Sequence, residues 1–399
     1  MKVTKRLFWI ISTLCVAVCA SAQQGKDSLR ISLLTCWPGP EVYELFGHTG
    51  LRVQRISAEQ PFDVVFNYGL FDFSTPHFVY RFTKGETDYC VAPVEFMNFY
   101  MAYAERDSRV VEQVLNLSQP EANALLKALI HNIQPQNRVY RYNFLFDNCA
   151  TRPRNIIERS VAGIVRYDDP HHAETFRTEI DSYIGNYPWF EFGIDIALGA
   201  ELDAPATYRQ QMFVPMVLCE AFASARIERP SGETVPLVCE TVELYQPAGE
   251  AVDPPTPWFL TPLFWAWVLL VVAATVSLRD IYCRKVSRWF DTPLFFLYGA
   301  VGCIVFFLMF LSEHPATDVN YLALWLNPFC WIALLVWIKS CKKLVHYYHF
   351  ANFAAVFVLL ASTLWIPQTL NGAFYPLIGV SLLRSACLLY TSPSPRDCS

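Results

Sequence analysis

Charge is scarce in this sequence. Asp, Glu, Lys and Arg make up 17% of its 399 residues, and 31 basic residues are outnumbered by 36 acidic ones, for a formal net charge of -5. With no Lys/Arg excess there is nothing to neutralise a phosphate backbone, which excludes a basic nucleic-acid binder. Metal-site patterns are lacking as well: there is no HExxH and no paired CxxC, and His171 and His172 sit in a polar DDPHHAET loop without ligand spacing. Neither a metal nor a cofactor is therefore expected. What the chain does have is apolar residues, 53% of the total, with a mean hydropathy of +0.25. That is too apolar for an ordinary soluble protein. The excess is uneven, because residues 23–257 mix charge and hydrophobicity like a globular domain while almost everything after Trp258 is Leu, Val, Phe, Trp and Ala.

The first 22 residues read as an export signal. Lys2, Lys5 and Arg6 precede the apolar run LFWIISTLCVAVCA, and Ala20-Ser21-Ala22 supplies the small residues of a cleavage site. A lipoprotein-type signal using Cys19 is the alternative, but Val18 is larger than the residue such sites prefer. Export places the globular part in an oxidising compartment, where an unpaired cysteine needs a reason.

Past the proline-rich linker QPAGEAVDPPTPW, hydrophobic stretches lie near 258–278, 291–312, 321–338 and 350–366, and a fifth begins near Ala373. Each of the first four is about long enough to cross a hydrocarbon core of roughly 30 Å at 1.5 Å per residue. Arg279, Arg284, Lys285 and Arg288 follow the first, and Lys339, Lys342 and Lys343 follow the third, which marks both connections as cytoplasmic. The connection after the second, SEHPATDVN, has no Lys or Arg. This topology puts residues 23–257 outside the inner membrane, in agreement with the signal. The last residues, CLLYTSPSPRDCS, are polar and Pro-rich straight after a membrane stretch and read like the translation of a sequencing adapter, so 387–399 are set aside from fold reasoning. The expected divisions are thus 1–22 signal, 23–250 exported domain, 251–386 transmembrane domain of four to five helices, and 387–399 artefact, with the natural sequence after Ala386 unknown.

Five cysteines fall in the exported part: Cys36, Cys90, Cys149, Cys219 and Cys239. An odd number leaves at least one free thiol or an intermolecular bridge. Cys149 stands apart. It lies in NFLFDNCATRPRNIIERS, where an Asx pair precedes helical apolar spacing at Ile156 and Ile157, and Pro153 requires the helix to begin close to Thr151. A thiol at a helix N-terminus near Arg152 and Arg154 is expected to have a lowered pKa, towards the nucleophilic thiolate. The bland alternative is a small buried hydrophobe.

A thiol nucleophile needs a base. His346 and His349 flank a basic cytoplasmic turn and are expected to snorkel at the interface, and His314 sits in an outer loop from which it could reach a site at the membrane surface. His48 differs. It lies in ELFGHTGLRVQRI, a half-buried strand pattern flanked by Gly47 and Gly50, and a second strand-like run, FDVVFNYGLFDF, follows at hairpin distance. That run offers Asn67 or Asp72 to orient an imidazole, and nothing local chooses between them.

Taken together, the exported GHTG strand, the NYGLFDF strand, the DNCATRPR segment and the membrane tail with its SEHPATDVNYLALWLNPF segment resemble the Lnb family of bacterial lipoprotein N-acyltransferases. The resemblance covers nearly the whole chain. It implies an α+β fold: a circularly permuted papain-like periplasmic domain followed by an α-helical transmembrane bundle in the inner membrane. A strand histidine and a helix-start cysteine introduced by Asn would form the dyad, here His48 and Cys149 with Asn148 before it, and Asn67 would be the third member by position. The implied reaction moves an acyl chain from a phospholipid donor to the α-amino group of a diacylated lipoprotein through a Cys149 thioester, with membrane lipids as further partners. Aromatic-rich stretches, Trp189, Phe190 and PTPWFLTPLFWAW, would suit an interfacial dock. Two rivals remain open: a cell-wall cysteine amidase or peptidase with the same dyad, and a non-catalytic module that binds lipid or lipoprotein.

Overall fold

A computed structural model describes residues 28–391 apart from 40, 42–43, 57–59, 170–174, 248 and 250–254. The signal sequence, His171, His172, part of the proline-rich linker and residues 392–399 with Cys398 lie outside the described residues. The chain is mixed α/β, a sheet-rich domain followed by five apolar helices. Contacts divide it into two units that interleave along the sequence: 1–73, 88–171 and 208–250 form the first, and 74–87, 172–207 and 251–399 the second.

The first unit is built on ten strands: β1 (Ser28–Cys36), β2 (His48–Ile56), β3 (Phe62–Leu70), β4 (Asp88–Glu95), β5 (Val110–Leu115), β6 (Val139–Arg141), β7 (Ile164–Arg166), β8 (Arg226–Glu228), β9 (Thr234–Pro236) and β10 (Val238–Tyr245). Seven of them make one antiparallel sheet in the order β10-β5-β1-β2-β3-β4-β6, and β7-β8-β9 make a small second sheet. Val, Leu, Ile and Thr dominate β1, β2 and β5, and such residues fit a pleated, buried surface. In β2 the residues Leu51 and Val53 point to one face, where they join Leu33, Phe66 and Tyr68 in the main core. Helices α1 (Phe96–Ala104), α2 (Gln119–Asn132), α3 (Thr151–Ser160) and α4 (Pro215–Ser224) pack on the sheet. Ile156 and Ile157 of α3 and Leu125 and Leu129 of α2 enter the main core, whereas Phe99 of α1 lies with Leu34, Cys36 and Val65 in a core on the opposite face.

The second unit contains five apolar segments long enough to span a bilayer: Pro262–Cys283, Arg288–Phe310, Pro315–Trp337, Lys339–Ser362 and Phe374–Thr391. The third is wound as short 3-10 turns, interrupted at Asn320 and Asn327 and restarted at Pro328. It crosses close to the second, since a Cβ on Gly302 would lie 2.3 Å from the Asn327 nitrogen. A buried charge inside these spans is paired: Arg384 is 0% exposed and bonds Asp291 at 2.7 and 2.9 Å and Asp280 at 2.9 Å. Removing one partner would strand a charge in an apolar interior, so this cluster ties the first, second and last spans together.

Residues 74–87 and 175–207 are held to this bundle by hydrogen bonds. The Ser312 hydroxyl donates to Thr83 O at 2.9 Å, and Glu313 N donates to Lys84 O at 2.8 Å. Arg177 bonds Asp195 at 2.7 Å and Asp203 at 3.0 Å, and Asn371 donates to Asp195 at 2.9 Å. Trp189, expected at an interface, is exposed and gives its indole N-H to Leu260 O at 2.7 Å. One histidine departs from expectation. His349 does not snorkel: it is buried inside the fourth span with Nδ1 3.3 Å from the Ser385 hydroxyl, because the helix starts at Lys342 rather than near residue 350 and carries it below the basic turn.

Candidate active site

Cys149 stands where the chain enters α3, and the residue before it fixes its position. Asn148 is 2% exposed, and its side chain is fully used. Its Oδ1 accepts from the N-H groups of Ala150 and Thr151, both at 2.9 Å, and its Nδ2 donates to Phe144 O at 2.7 Å and Phe213 O at 2.8 Å. Two of the helix's unpaired amide donors are thereby satisfied, as in an N-cap. Asp147 in turn grips Arg152 bidentately at 2.6 and 2.7 Å. The helix runs from Thr151, which leaves Pro153 in its first turn where the missing N-H costs nothing.

His48 opens β2 and faces β3. Its Nε2 lies 2.7 Å from Oδ1 of Asn67. An amide oxygen only accepts, so the ring proton sits on Nε2, and Nδ1 keeps its lone pair. Between Asn67 and Asp72, the two candidates for this role by sequence, it is Asn67 that the strand register brings onto the His48 face: Gly50 pairs with Asn67 across β2 and β3. Tyr103 stacks on the imidazole with centroids 6.1 Å apart.

The thiol and the imidazole come to one place, beside Gly69. A Cβ built on Gly69 would lie 3.6 Å from Cys149 Cβ and 3.9 Å from His48 Cε1. Gly69 has φ +88 at a register shift in the β3–β4 pairing, a backbone that favours glycine. Neither partner is sealed, as both keep part of their surface accessible. Cys36 pairs with His48 in the β1–β2 register but is 0% exposed, so a second thiol near this imidazole has no access to solvent.

The electrostatics reverse one sequence expectation. The Cys149 pKa is raised to about 11 rather than lowered, because burial disfavours the thiolate more than the N-H groups of Thr49 and Cys149 itself, both directed at the sulfur, favour it. The two arginines that were expected to help are engaged elsewhere. Arg152 is neutralised by Asp147 and lies over the Tyr140 ring at 3.5 Å, and Arg154 donates to Arg209 O at 2.5 Å. His48 is lowered to about 4, first by burial, with the Asn67 bond opposing and the Arg106 guanidinium adding to the fall. At neutral pH the resting pair is thus a neutral thiol and a neutral imidazole.

His314 belongs to the span unit, where Nε2 bonds Phe82 O at 2.8 Å. All ten described cysteines are free thiols. Sequence reasoning passed over Thr49, Gly69, Tyr103, Arg106 and Tyr140. Only Gly69 left a signal, as a glycine inside a strand pattern.

A sheet with a cysteine at a helix start, a histidine on a neighbouring strand and five apolar spans defines a membrane protein with a sheet-rich domain carrying a thiol–imidazole pair. The family description "Lnb N-terminal periplasmic domain" matches residues 21–180, and "Lnb transmembrane domain" matches residues 255–394. The chain belongs to the Lnb family, and it is a membrane protein with a periplasmic domain. Comparison with curated proteins and with solved structures finds no match.

Proposed function

We propose that this protein is an inner-membrane lipoprotein N-acyltransferase that works by a thiol acyl relay, with Cys149 as nucleophile, His48 as base and Asn67 as the group that orients the imidazole. The observation that carries this reading is the convergence of Cys149 and His48 beside Gly69, with Nε2 held by Asn67 and Nδ1 left free. That is the arrangement a thiol-dependent acyl transfer needs: nucleophile, base and orienting group in series. A papain-like ancestry of the sheet and helix accords with the same arrangement.

In the first half, the Cys149 sulfur forms a bond to the acyl carbon of a phospholipid ester while His48 takes the thiol proton. The ester C–O bond then breaks, and His48 returns the proton to the leaving lysophospholipid oxygen. In the second half, the free amine of a diacylated lipoprotein's N-terminal cysteine attacks the thioester. Its proton passes through His48 to the departing sulfur, and an amide remains.

The gap between about 11 and about 4 puts the separated charges roughly 9 kcal/mol above the neutral pair. Attraction between thiolate and imidazolium at contact returns about 4 kcal/mol at an effective dielectric near 20. The remainder is small enough for proton transfer to accompany attack rather than precede it. Both substrates keep acyl chains in the bilayer, and a chain with its own spans meets them there.

The test is the full chain in phospholipid vesicles with a diacylated lipopeptide. The peptide should gain the mass of one acyl chain, and Cys149→Ala should give no gain; transfer by Cys149→Ala at the parent rate would sink the relay. Cleavage of peptidoglycan instead of acyl gain would favour a cell-wall hydrolase. Retention of lipid by both proteins without turnover would favour a binding module.

A further inference from the structure

Native interiors seldom leave a buried hydroxyl without an acceptor for its proton, because the proton is desolvated with nothing in return. One such group stands beside the thiol. Tyr140 is the middle residue of β6, paired in register with Tyr89 of β4, and it is 7% exposed. Its O-H proton has no acceptor, and the backbone N-H of Gly69 is directed at its Oη. The ring belongs to the core against which Cys149 packs, together with Tyr89 and Ala150. Arg152, one turn of chain from Cys149, lies over the same ring with its guanidinium carbon 3.5 Å from the centroid.

The phenol cannot serve as an acid or a second nucleophile. Burial, and after it negative charge on Cys149, push its pKa far up, outweighing the pull of Arg152. It therefore remains a hydroxyl with a proton to donate, sensitive to charge that develops at Cys149. Tyr142, which stacks on Tyr89 at 4.1 Å, and Tyr89 itself are raised by the same sulfur. Of the three, Tyr140 is the one whose buried O-H has no acceptor.

We propose that the Tyr140 hydroxyl donates a hydrogen bond to the acyl oxygen while that oxygen carries negative charge in the tetrahedral intermediates on Cys149. This rests on the acyl-transfer reading above. No proton changes hands: the acyl C=O becomes C–O⁻ as the sulfur bond forms, accepts from Oη–H, and returns to C=O as the leaving oxygen or sulfur departs. The Oη proton that lacks an acceptor in the resting protein is then the donor that the oxyanion meets, already in place where charge will appear.

This makes an unusual prediction for a buried side chain. Tyr140→Phe removes a hydroxyl whose proton has no acceptor and costs at most the Gly69 N-H contact, so in the full chain any fall in Tm should be small. Acylation of Cys149 by phospholipid vesicles should nonetheless slow by about 100-fold, the scale of losing one oxyanion donor. The KM for phospholipid should stay within about twofold, and alkylation of Cys149 by iodoacetamide, which forms no oxyanion, should proceed at the parent rate. Parent-like acylation by Tyr140→Phe, a Tm lowered by more than about 5 °C, or an equal loss of alkylation would each overturn the assignment, the last two by giving the hydroxyl a structural role. A parent protein that forms no acyl adduct would instead remove the acyl-transfer reading itself.

Discussion

The Nε2 of His48 lies 2.7 Å from the Asn67 side-chain oxygen, and this one bond decides which ring nitrogen can act as a base. It holds the proton on Nε2 and leaves Nδ1 with its lone pair. It also opposes the fall in the imidazole pKa that burial causes. Asn67→Ala should therefore lower that pKa further below about 4 and slow acyl transfer by roughly 10- to 100-fold through loss of ring orientation. Asn67→Asp should move it the other way, because a carboxylate favours imidazolium, and the acid limb of the pH–rate profile should shift upward. Histidine titration followed by NMR, alongside rates, separates the two effects.

The neutral resting pair has its own signature in pH. Alkylation of Cys149 by iodoacetamide should be slow at pH 7 and climb steadily with pH towards a midpoint near 11, where burial has placed the thiol. A thiolate already formed at rest would give a rate that is flat above about pH 6.

His48 also couples to stability. Its folded pKa of about 4 lies below the unfolded value near 6.5, so between these pH values the unfolded chain binds more protons, and stability declines as pH falls from about 6.5 to about 4. The loss is on the order of 3 kcal/mol at most, reduced because part of the ring meets solvent. In His48→Gln this part of the pH dependence should vanish, which thermal unfolding of parent and variant across the window would read; identical slopes would contradict a buried neutral imidazole.

Gly69 separates space from strain. A methyl there meets Cys149 Cβ and His48 Cε1 at ordinary contact distances, but its φ of +88 disfavours any side chain. Gly69→Ala should cost about 1 kcal/mol of stability. Its larger effect should be on acyl transfer, since the methyl occupies the place where the two reacting groups approach each other. A variant with lowered Tm and full activity would show that this place is not where the reaction occurs.

Much of this arrangement was legible in the sequence because it is written in local pattern. Alternation around Leu51 and Val53 marked β2, the FDVVFNYGLFDF run, which extends three residues past the strand's end at Leu70, marked β3, and the Asx pair before Ile156 and Ile157 with Pro153 marked the helix start at Thr151. Long apolar runs and Lys/Arg placement marked the spans. What the pattern does not carry is burial by distant residues. The helix N-terminus and Arg152 suggested a lowered thiol pKa, but Asp147 consumes the arginine and the surrounding core raises the pKa instead. In the same way His349 looked interfacial beside Lys342 and Lys343 until the packing of the last helix enclosed it. That residues 74–87 and 172–207 pack with the spans follows from hydrogen bonds such as Ser312 to Thr83, which composition cannot show.

The account depends on an acyl group passing through sulfur, and mass spectrometry of the full chain after incubation with phospholipid in the absence of lipoprotein tests this most directly. The prediction is an added fatty acyl mass on the peptide containing Cys149, released by neutral hydroxylamine and absent from Cys149→Ser and His48→Gln. Lipid turnover with Cys149 unmodified throughout, or an adduct that survives hydroxylamine, would contradict it.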